Sequence, residues 1–263
     1  MQVLVINLSS ENKRRKFQER QLAKLDLDFS ILNATSIIDI DDKTYQKHYY
    51  DWQRPLRRSE VACYYSHRRC WEKVIDNNKP MLILEDDALL SKEVPLILSE
   101  LESHNNIDLV DLEVTARKKI VSKTSKTLQS NNTLIKLYLN SSGAGGYILY
   151  PSGAKKLLQC EKDNGISLAD AHIASCSCLN AYQIEPAPIV QFILCPYYQI
   201  NNPAFIDFQT SSTNLEPKEK QQEIYFHARK LVNEAKLGIK KLKLLFISKR
   251  RLIFLNKDDF DYK

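Results

Sequence analysis

The sequence lacks any long apolar segment. No stretch of its 263 residues approaches the roughly 20 consecutive apolar residues that a membrane-spanning helix requires. The amino terminus runs from Met1 directly into VLVINL without a basic leader or a small-residue cleavage site, so we expect no signal peptide. A Gly-rich Walker loop and internal repeats are also absent. With 43% hydrophobic and 27% charged residues, the composition is typical of a soluble globular chain that forms one large α/β domain or a domain plus an appendage.

Cysteines are few and scattered. The six are Cys63, Cys70, Cys160, Cys176, Cys178 and Cys195. Their spacing matches neither a disulfide framework nor a zinc site, and the Cys-Ser-Cys near residue 177 is too isolated to bind a metal ion. The sequence therefore predicts reduced thiols, as in a cytosolic protein.

Positive charge is confined to one part of the chain. Residues 228–251 contain nine Lys or Arg and one acid, a net charge of +8 against +6 for the whole chain. The remainder is therefore slightly acidic. A nucleic-acid-binding protein is expected to carry basic residues over its main surface, so we predict no nucleic-acid partner.

The first part of the chain reads as a β-α-β unit. Apolar residues predict strands at 2–8 and 28–34, with a helix at 11–25 between them. Residues 37–58 show no period and are predicted to form a loop. Ser59 can cap a helix that runs to about residue 76, because apolar side chains then recur every three or four positions.

Strands and helices also alternate further along the chain. We predict strands at 81–85, 107–113 and 134–140, a helix at 94–102, a loop at 115–133, and a Gly-rich turn, a strand and a helix within 141–158. This order predicts an α/β fold with a mostly parallel sheet and helices on both faces. Ligands bind such sheets at the carboxyl ends of strands.

Three adjacent carboxylates end one of these strands. Glu85, Asp86 and Asp87 directly follow the apolar run MLIL, which is typical of a buried strand. Like charges beside a core repel one another and resist desolvation unless they have a partner. A divalent cation, Mg²⁺ or Mn²⁺, is the obvious partner, whereas an acidic solvated turn is the alternative.

Four sequence blocks occur in a characteristic order. The first contains Val5-Ile6-Asn7-Leu8 with Arg14-Arg15, the second Glu60, Cys63, Ser66, His67 and Trp71, the third the Glu-Asp-Asp, and the fourth Gly143, Tyr147 and then Asp170. In order and spacing they resemble glycosyltransferase family 25, which includes bacterial lipooligosaccharide β-galactosyltransferases and collagen galactosyltransferases. The similarity covers roughly residues 2–195. This sequence departs from the family pattern at Ala62, Ala144, Gly146 and Leu168, which replace Gly, Thr, Ala and Pro.

The resemblance implies a GT-A-type fold, a UDP-sugar donor such as UDP-galactose, a divalent metal and inversion at the anomeric carbon. Asp87, with Glu85 or Asp86, would hold the metal against the two phosphates. Asp170 is the candidate general base for the acceptor hydroxyl, with a polar helix-start residue as the alternative.

Other residues of the blocks are candidates for donor binding. Asp86 belongs to this group because it is one of the acids at the strand end, and Gly143 because it lies in the Gly-rich turn. Glu60 and His67 share one helix face and either contact the donor or orient the carboxylates, although His67 also suits a core position. Asn7 would contact the base or ribose.

Two further assignments leave alternatives open. Arg14 would contact a phosphate, although a surface position explains an arginine there nearly as well. His172 is a candidate third metal ligand or an exposed helix residue.

The carboxyl-terminal part of the chain has a different character. We predict a catalytic domain at 1–215 and a basic amphipathic helical region at 216–263. Residues 236–255 mix basic side chains with Leu, Ile and Phe, a pattern typical of a segment that lies on an anionic membrane surface. Packing on the catalytic domain is the alternative.

The leading interpretation is therefore a metal-dependent galactosyltransferase that acts on a glycolipid or oligosaccharide acceptor, in the cytoplasm and peripherally on the inner face of the bacterial inner membrane. A metal-dependent nucleotidyl- or phosphotransferase and a non-catalytic membrane-associated binding module are the alternatives.

Overall fold

The computed structural model describes residues 1–130, 132–140, 143–200 and 224–261. These residues form a nine-stranded sheet with helices on both faces and a separate three-stranded sheet. The predicted α/β class is confirmed. The predicted boundary between residues 215 and 216 lies outside the described residues.

The β-α-β opening is present as predicted. It consists of β1 (Val3–Asn7), α1 (Asn12–Lys24) and β2 (Phe29–Asn33). β1 is buried along its whole length, and it pairs in parallel with β2 on one side and with β3 (Met81–Glu85) on the other. Both faces of β1 are therefore covered, which explains why Val3 to Ile6 are all apolar.

Helix α3 (Arg58–Asn77) packs its apolar face on the core. Its N-cap is Arg57 and not Ser59, because the Glu60 carboxylate accepts a hydrogen bond from the Arg57 backbone N–H and closes a capping box. Asn78 ends the helix in the left-handed conformation, for which asparagine is well suited.

The remaining strands of the large sheet come from the part of the chain after residue 108. They are β5 (Leu109–Asp111), β7 (Lys119–Thr127), β8 (Thr133–Leu139), β9 (Gly146–Leu149), β10 (Ala181–Glu185) and β12 (Ser248–Arg251). The spatial order is β12-β7-β8-β10-β5-β9-β3-β1-β2.

The large sheet is mixed and not mostly parallel. Only the pairs β1–β2, β1–β3 and β5–β10 run parallel. β9 lies antiparallel between β3 and β5, and β8, β7 and β12 continue the sheet through antiparallel pairs. The alternation of strands and helices in the sequence does not reveal strand direction, because β9 is inserted between two strands that precede it in the chain.

A small sheet stands beside the end of β3. Its strands are β4 (Ala88–Leu90), β6 (Glu113–Val114) and β11 (Ile189–Gln191), in the order β4-β11-β6. Each strand is only two or three residues long, so none has a periodic signature in the sequence. This sheet brings Glu113 and Gln191 close to the acids that follow β3.

Helices α4 (Val94–Leu101), α5 (Pro151–Asn164) and α6 (Ala169–Ser175) complete the described domain before residue 200. Two predicted loops are corrected. Residues 37–58 contain α2 (Asp42–His48), capped by Asp41, and residues 115–133 contain β7. β7 is polar in sequence because its second half is exposed.

The carboxyl-terminal region is only partly helical. After α7 (Ile224–Leu244), β12 pairs antiparallel with β7 at the edge of the large sheet. Beyond it, Ile253, Leu255 and Phe260 are buried in a cluster with side chains of the main domain. Residues 248–260 therefore belong to the domain, and only α7 retains the predicted character of a basic amphipathic helix.

The prediction of six reduced thiols is wrong for one pair. Cys160 of α5 and Cys176 at the end of α6 form a disulfide, with their Cα atoms 6.1 Å apart. The Cys178 sulfur lies 3.5 Å from that of Cys176. The pairing depends on the packing of two helices, which the cysteine spacing does not encode.

Candidate active site

A cavity of about 390 Å³ lies at the carboxyl end of β3. This is the position at which α/β sheets usually bind ligands. The charged side chains of its wall are Glu60, Glu85, Glu113, Asp170, Arg57 and Arg117. Predicted site residues from three separate sequence blocks therefore meet here, together with residues that the sequence did not single out.

Glu85 and Asp87 converge next to this cavity. Gln191 Nε2 donates to Glu85 Oε2 at 2.9 Å and lies 3.4 Å from Asp87 Oδ1. Burial, together with the charges of Glu85 and Asp86, raises the pKa of Asp87 to about 7. Hard carboxylate oxygens in a site with excess negative charge fit a Mg²⁺ or Mn²⁺ ion, so these residues suit the predicted cation.

Asp86 points in a different direction. Its carboxylate accepts hydrogen bonds from Asn7 Nδ2 at 2.8 Å and Arg14 Nη1 at 3.1 Å. Burial raises the pKa of Asp86, although Arg14 and Asn7 oppose that effect. Gln18 Nε2 also donates to the backbone oxygens of Asp86 and Ala88. The side chains of β1 and α1 thus anchor the turn that carries the acids.

This arrangement differs from the sequence interpretation of three residues. Asn7, Arg14 and Asp86 were expected to contact the donor, but all three are buried and none lines the cavity. In this structure Asn7 and Arg14 donate to Asp86. Between the two predicted partners of Asp87, the geometry favours Glu85.

His67 connects Glu85 to the core. Its Nε2 lies 3.2 Å from Glu85 Oε1 and its Nδ1 lies 3.0 Å from the Tyr147 hydroxyl, which also accepts a hydrogen bond from Trp71 Nε1 at 2.9 Å. Every donor in this series of hydrogen bonds has an acceptor when the neutral His67 ring carries its hydrogen on Nε2 and donates to Glu85. Of the two sequence interpretations of His67, orientation of the carboxylate agrees with this geometry.

A cysteine also approaches this chain. The ligand atoms of Cys63, His67 and Glu85 lie within 4.8 Å of one another. Burial raises the pKa of the Cys63 thiol far above its usual range, so it stays protonated and is a poor metal ligand.

Glu60 and Asp170 occupy other parts of the wall. Glu60 accepts hydrogen bonds from Arg54 and Arg57. Burial acts to raise its pKa, but these arginines outweigh burial and lower it, so Glu60 is ionised. Asp170 lies in the first turn of α6, and burial raises its pKa despite hydrogen bonds from the backbone of Ala171 and Gly143. A carboxylate with a raised pKa is suited to accept a proton.

Glu113 is the most buried acid of the wall. Its Oε2 accepts a hydrogen bond from the Gly146 backbone N–H at 3.0 Å. Burial, followed by the charge of Asp111, raises the pKa of Glu113 well above its usual range, although Lys119 opposes this effect. Burial thus favours the protonated form of Glu113 relative to an exposed glutamate.

Gly143 borders both Asp170 and Glu113. Its φ of +106° is rarely adopted by other residues, and a Cβ atom there would lie 2.3 Å from Glu113 Oε1. The glycine is thus required by backbone conformation and by space, whether or not a ligand is bound. Its neighbours at 141 and 142 lie outside the described residues.

The sequence did not identify Glu113, Gln191 or Arg117 as site residues. They lie on or next to the very short strands of the small sheet, and no motif accompanies them. His172, in contrast, was singled out as a metal ligand or an exposed helix residue. It is buried and stacks on Trp71, and its Nε2 is hydrogen-bonded to the Leu157 carbonyl. It is neither exposed nor near Glu85 through any described contact.

Comparison with known proteins identifies the family. Residues 1–172 match the family described as Glycosyltransferase family 25 (LPS biosynthesis protein). The chain belongs to this family, as the sequence blocks predicted.

Relatives in the family have different functions. Procollagen galactosyltransferase 1-A of Xenopus laevis is 28% identical over 178 residues, which cover 61% of this chain and 28% of that protein. Lipooligosaccharide biosynthesis protein lic2B of Haemophilus influenzae is 25% identical over 210 residues, which cover 71% of this chain and 74% of that protein. A further Haemophilus influenzae relative is 28% identical, with 59% of its length covered. Two of these three relatives are thus matched over less than two thirds of their length.

Solved structures show only distant similarity. The inositol-1-phosphate CTP transferase from T. maritima aligns with a TM-score of 0.40 and 12% identity over 81% of this chain and 92% of that chain. A glycosyltransferase involved in glycosylation of the major capsid of PBCV-1 aligns with a TM-score of 0.33 and 10% identity over 63% of this chain and 67% of that chain. TM-scores below 0.5 carry no weight for function.

Proposed function

We propose that this protein is an inverting, metal-dependent glycosyltransferase with a GT-A-type fold, which moves a sugar, galactose, from a UDP-sugar to a lipooligosaccharide or lipopolysaccharide acceptor. The observation that carries this proposal is that Gln191 brings Asp87 next to Glu85, beside a cavity whose wall contains Glu85, Gln191 and Asp170. Membership in glycosyltransferase family 25 supports it.

Each acidic residue has a proposed role. Glu85 and Asp87 would hold a Mn²⁺ or Mg²⁺ ion, which neutralises the charge that develops on the departing diphosphate. His67 and Gln191 hold Glu85 in position through the hydrogen bonds described above. Arg117, an exposed cation at the cavity, is available for a phosphate oxygen.

Asp170 is the proposed general base. Its carboxylate accepts the proton of the acceptor hydroxyl while that oxygen attacks the anomeric carbon, and the bond from this carbon to UDP breaks on the opposite face of the sugar. Attack from the opposite face inverts the anomeric configuration. The raised pKa of Asp170 favours its acceptance of the proton.

The test is calorimetric titration of UDP-galactose with and without Mn²⁺, on the wild type and on Asp87→Asn, followed by a turnover screen of UDP-sugars. We expect Mn²⁺-assisted binding and transfer by the wild type. For Asp87→Asn, kcat/KM should fall more than about tenfold, a loss above ~1.4 kcal/mol, because the change removes a charged ligand at constant volume.

The other results identify the alternatives. Turnover of the nucleotide without sugar transfer would indicate a nucleotidyl- or phosphotransferase. Absence of donor binding would indicate a non-catalytic module. Unchanged kcat/KM in Asp87→Asn would contradict the metal assignment.

We further propose that α7 docks the enzyme on an anionic membrane, at the cytoplasmic face of the bacterial inner membrane. Apolar side chains on one face of α7 and in the turn after it are 52–87% exposed: Leu231, Val232, Ile239 and Leu242 in the helix, and Phe246 just beyond its end. Lys241 and Lys243 flank this face, whereas Lys240 and Leu244 on the other side are less exposed. No described helix is long and apolar enough to cross a membrane.

An exposed apolar face flanked by lysines suits an interfacial helix, in which apolar burial and attraction to anionic lipid act together. Deletion of 236–255 is a poor test, because it would also remove β12 and the buried Ile253 and Leu255. The double substitution Leu242→Asp with Phe246→Asp leaves these elements in place.

Co-sedimentation with vesicles that contain anionic lipid tests the membrane proposal. We expect the double variant to lose vesicle binding and to retain transfer to a short soluble acceptor. Ile38→Asp is the matched control, since Ile38 is 92% exposed elsewhere on the molecule and its change should have no effect. Wild-type binding should also weaken from low to physiological salt. Equal vesicle binding by the double variant and by Ile38→Asp would refute the membrane role.

A further inference from the structure

Two polar side chains in the cavity wall lack hydrogen-bond partners within the described part of the chain. They are Glu113, through Oε1, and Thr115, through its hydroxyl, and both atoms are buried. Glu113 as a whole is only 1% exposed. Buried polar atoms are nearly always paired in proteins, so two unpaired atoms two residues apart in one cavity wall suggest a ligand group that is absent here.

Both residues lie against the same glycine. A Cβ atom on Gly143 would lie 2.3 Å from Glu113 Oε1 and 2.7 Å from the Thr115 methyl group. Gly143 also borders the cavity, so it is the part of the wall next to both side chains. Glu113 and Thr115 are themselves part of this wall, so a ligand in the cavity lies next to both side chains.

The surrounding charges indicate what kind of ligand fits. Lys119 donates to Asp111 at 2.6 Å, to the Glu113 carbonyl at 2.9 Å and to Gln183 at 2.7 Å, so this nearby cation is fully engaged. Lys119 is therefore not available to a phosphate at Glu113. The wall there offers a carboxyl group and a hydroxyl group, which together can donate and accept hydrogen bonds.

We propose that Glu113 and Thr115 form a subsite that hydrogen-bonds a hydroxyl group of the donor sugar and thereby selects which sugar is transferred. A sugar hydroxyl both donates and accepts, which matches this pair of side chains. The inference rests on the proposed glycosyltransferase function and adds to it the residues of donor specificity. Sites built to hydrogen-bond a substrate hydroxyl discriminate strongly against analogues that lack it.

The test uses variants of nearly constant shape. Thr115→Val removes only the hydroxyl and Thr115→Ser retains it, whereas Glu113→Met removes hydrogen bonding and Glu113→Gln retains it. Each variant is assayed for affinity for UDP and for kcat/KM with the preferred UDP-sugar and with analogues that each lack one hydroxyl. Thermal unfolding shows whether each variant is folded.

We expect Thr115→Val and Glu113→Met to lower kcat/KM for the preferred UDP-sugar about fivefold to tenfold, the effect of one lost hydrogen bond, with UDP affinity within about twofold of wild type. Thr115→Ser and Glu113→Gln should retain most activity. One deoxygenated analogue should be a poor substrate for the wild type and equal to the parent sugar for Thr115→Val.

The results separate this inference from the function on which it rests. If the wild type transfers sugar and both Thr115→Val and Glu113→Met discriminate among all analogues as the wild type does, the subsite is wrong and the proposed function stands. The same conclusion follows if UDP affinity falls together with sugar transfer. If the wild type transfers no sugar, the proposed function fails and the subsite fails with it.

Discussion

At the scale of single residues, the site depends on hydrogen bonds that start in the core. Trp71, Tyr147 and His67 form a chain that ends at Glu85, while Asn7 and Arg14 hold Asp86 on the other side of the same strand end. Adjacent acids in the sequence are thus separated into different environments. Glu85 lines the cavity with Asp87 beside it, whereas Asp86 is bound to Asn7 and Arg14.

Tyr147→Phe tests the chain that ends at Glu85. Loss of the hydroxyl leaves the buried Trp71 N–H and one His67 nitrogen without a partner, so we expect the free energy of unfolding to fall by about 1–3 kcal/mol. Glu85 should also lose orientation, which lowers kcat. Urea denaturation and steady-state kinetics measure the two effects.

Tyr150→Phe is the matched control. Tyr150 is also buried, and its hydroxyl donates to the Leu101 carbonyl at 2.6 Å, on a helix that contributes nothing to the cavity wall. Tyr150→Phe should lower the free energy of unfolding by about as much as Tyr147→Phe and leave kcat unchanged. If the two variants have the same kcat, His67 and Tyr147 have no positioning role.

Asp170→Asn tests the proposed base. A base acts on the acceptor, so we expect turnover to fall at least a hundredfold while calorimetry shows UDP-sugar affinity near wild type. Loss of donor binding along with turnover would make Asp170 a donor-site residue instead.

The acids at the end of β3 could be placed from the sequence because a buried strand that ends in carboxylates has a recognisable pattern, and Asp170 and Gly143 could be placed through the resemblance to the family. Glu113 and Gln191 could not, since their strands are too short to show a period. Asn7 and Arg14 lie near the predicted strand end, but their side chains donate to Asp86 and do not line the cavity. A sequence shows that polar residues approach a strand end, but it does not show whether they face the ligand or one another.

At the scale of elements, β12 shows how a polar segment becomes part of a sheet. Arg251 forms a bidentate ion pair with Glu185, which also accepts a hydrogen bond from the Phe254 backbone N–H at 2.7 Å. Sequence patterns predicted a helical tail here because Leu, Ile and basic residues dominate. Pairing with β7 overrides that local preference. The sequence did not predict β7 either, because its residues are mostly polar.

Glu185→Gln tests this anchor. Burial acts to raise the pKa of Glu185, but hydrogen bonds from Arg251 and Phe254 outweigh burial and lower it. A group with a lowered folded pKa stabilises the protein above its unfolded pKa of about 4.3, and this contribution is lost as the pH falls through the folded pKa. Since the pair is partly exposed, we expect a loss of only about 1 kcal/mol at pH 7.

Urea denaturation of the wild type and Glu185→Gln at pH 7 and at successively lower pH measures the effect. The difference between the two proteins should shrink as the pH falls below about 4. A difference that persists unchanged in acid would show that the carboxylate charge does not anchor β12. Arg251→Met should give the same loss at pH 7.

At the scale of the whole molecule, ligand binding should be visible as stability. The proposed cation and nucleotide bind only the folded chain, so concentrations of Mn²⁺ and UDP near one hundred times their Kd should add ~2.7 kcal/mol. For a chain of this size we expect Tm to rise by about 5–10 °C. Asp87→Asn should show a much smaller rise, and equal rises in the two proteins would place the ligands elsewhere.

The exposed edge of the large sheet has a further consequence for behaviour at high concentration. β12 is the outermost strand, so one side of its backbone has no neighbouring strand in the sheet order. An open edge can recruit another chain and start aggregation, but this one reads Ser-Lys-Arg-Arg. Two copies that approached edge to edge would bring six cations together. Replacing Lys249 and Arg250 by threonine should therefore leave the monomer folded but promote concentration-dependent self-association, measurable by light scattering.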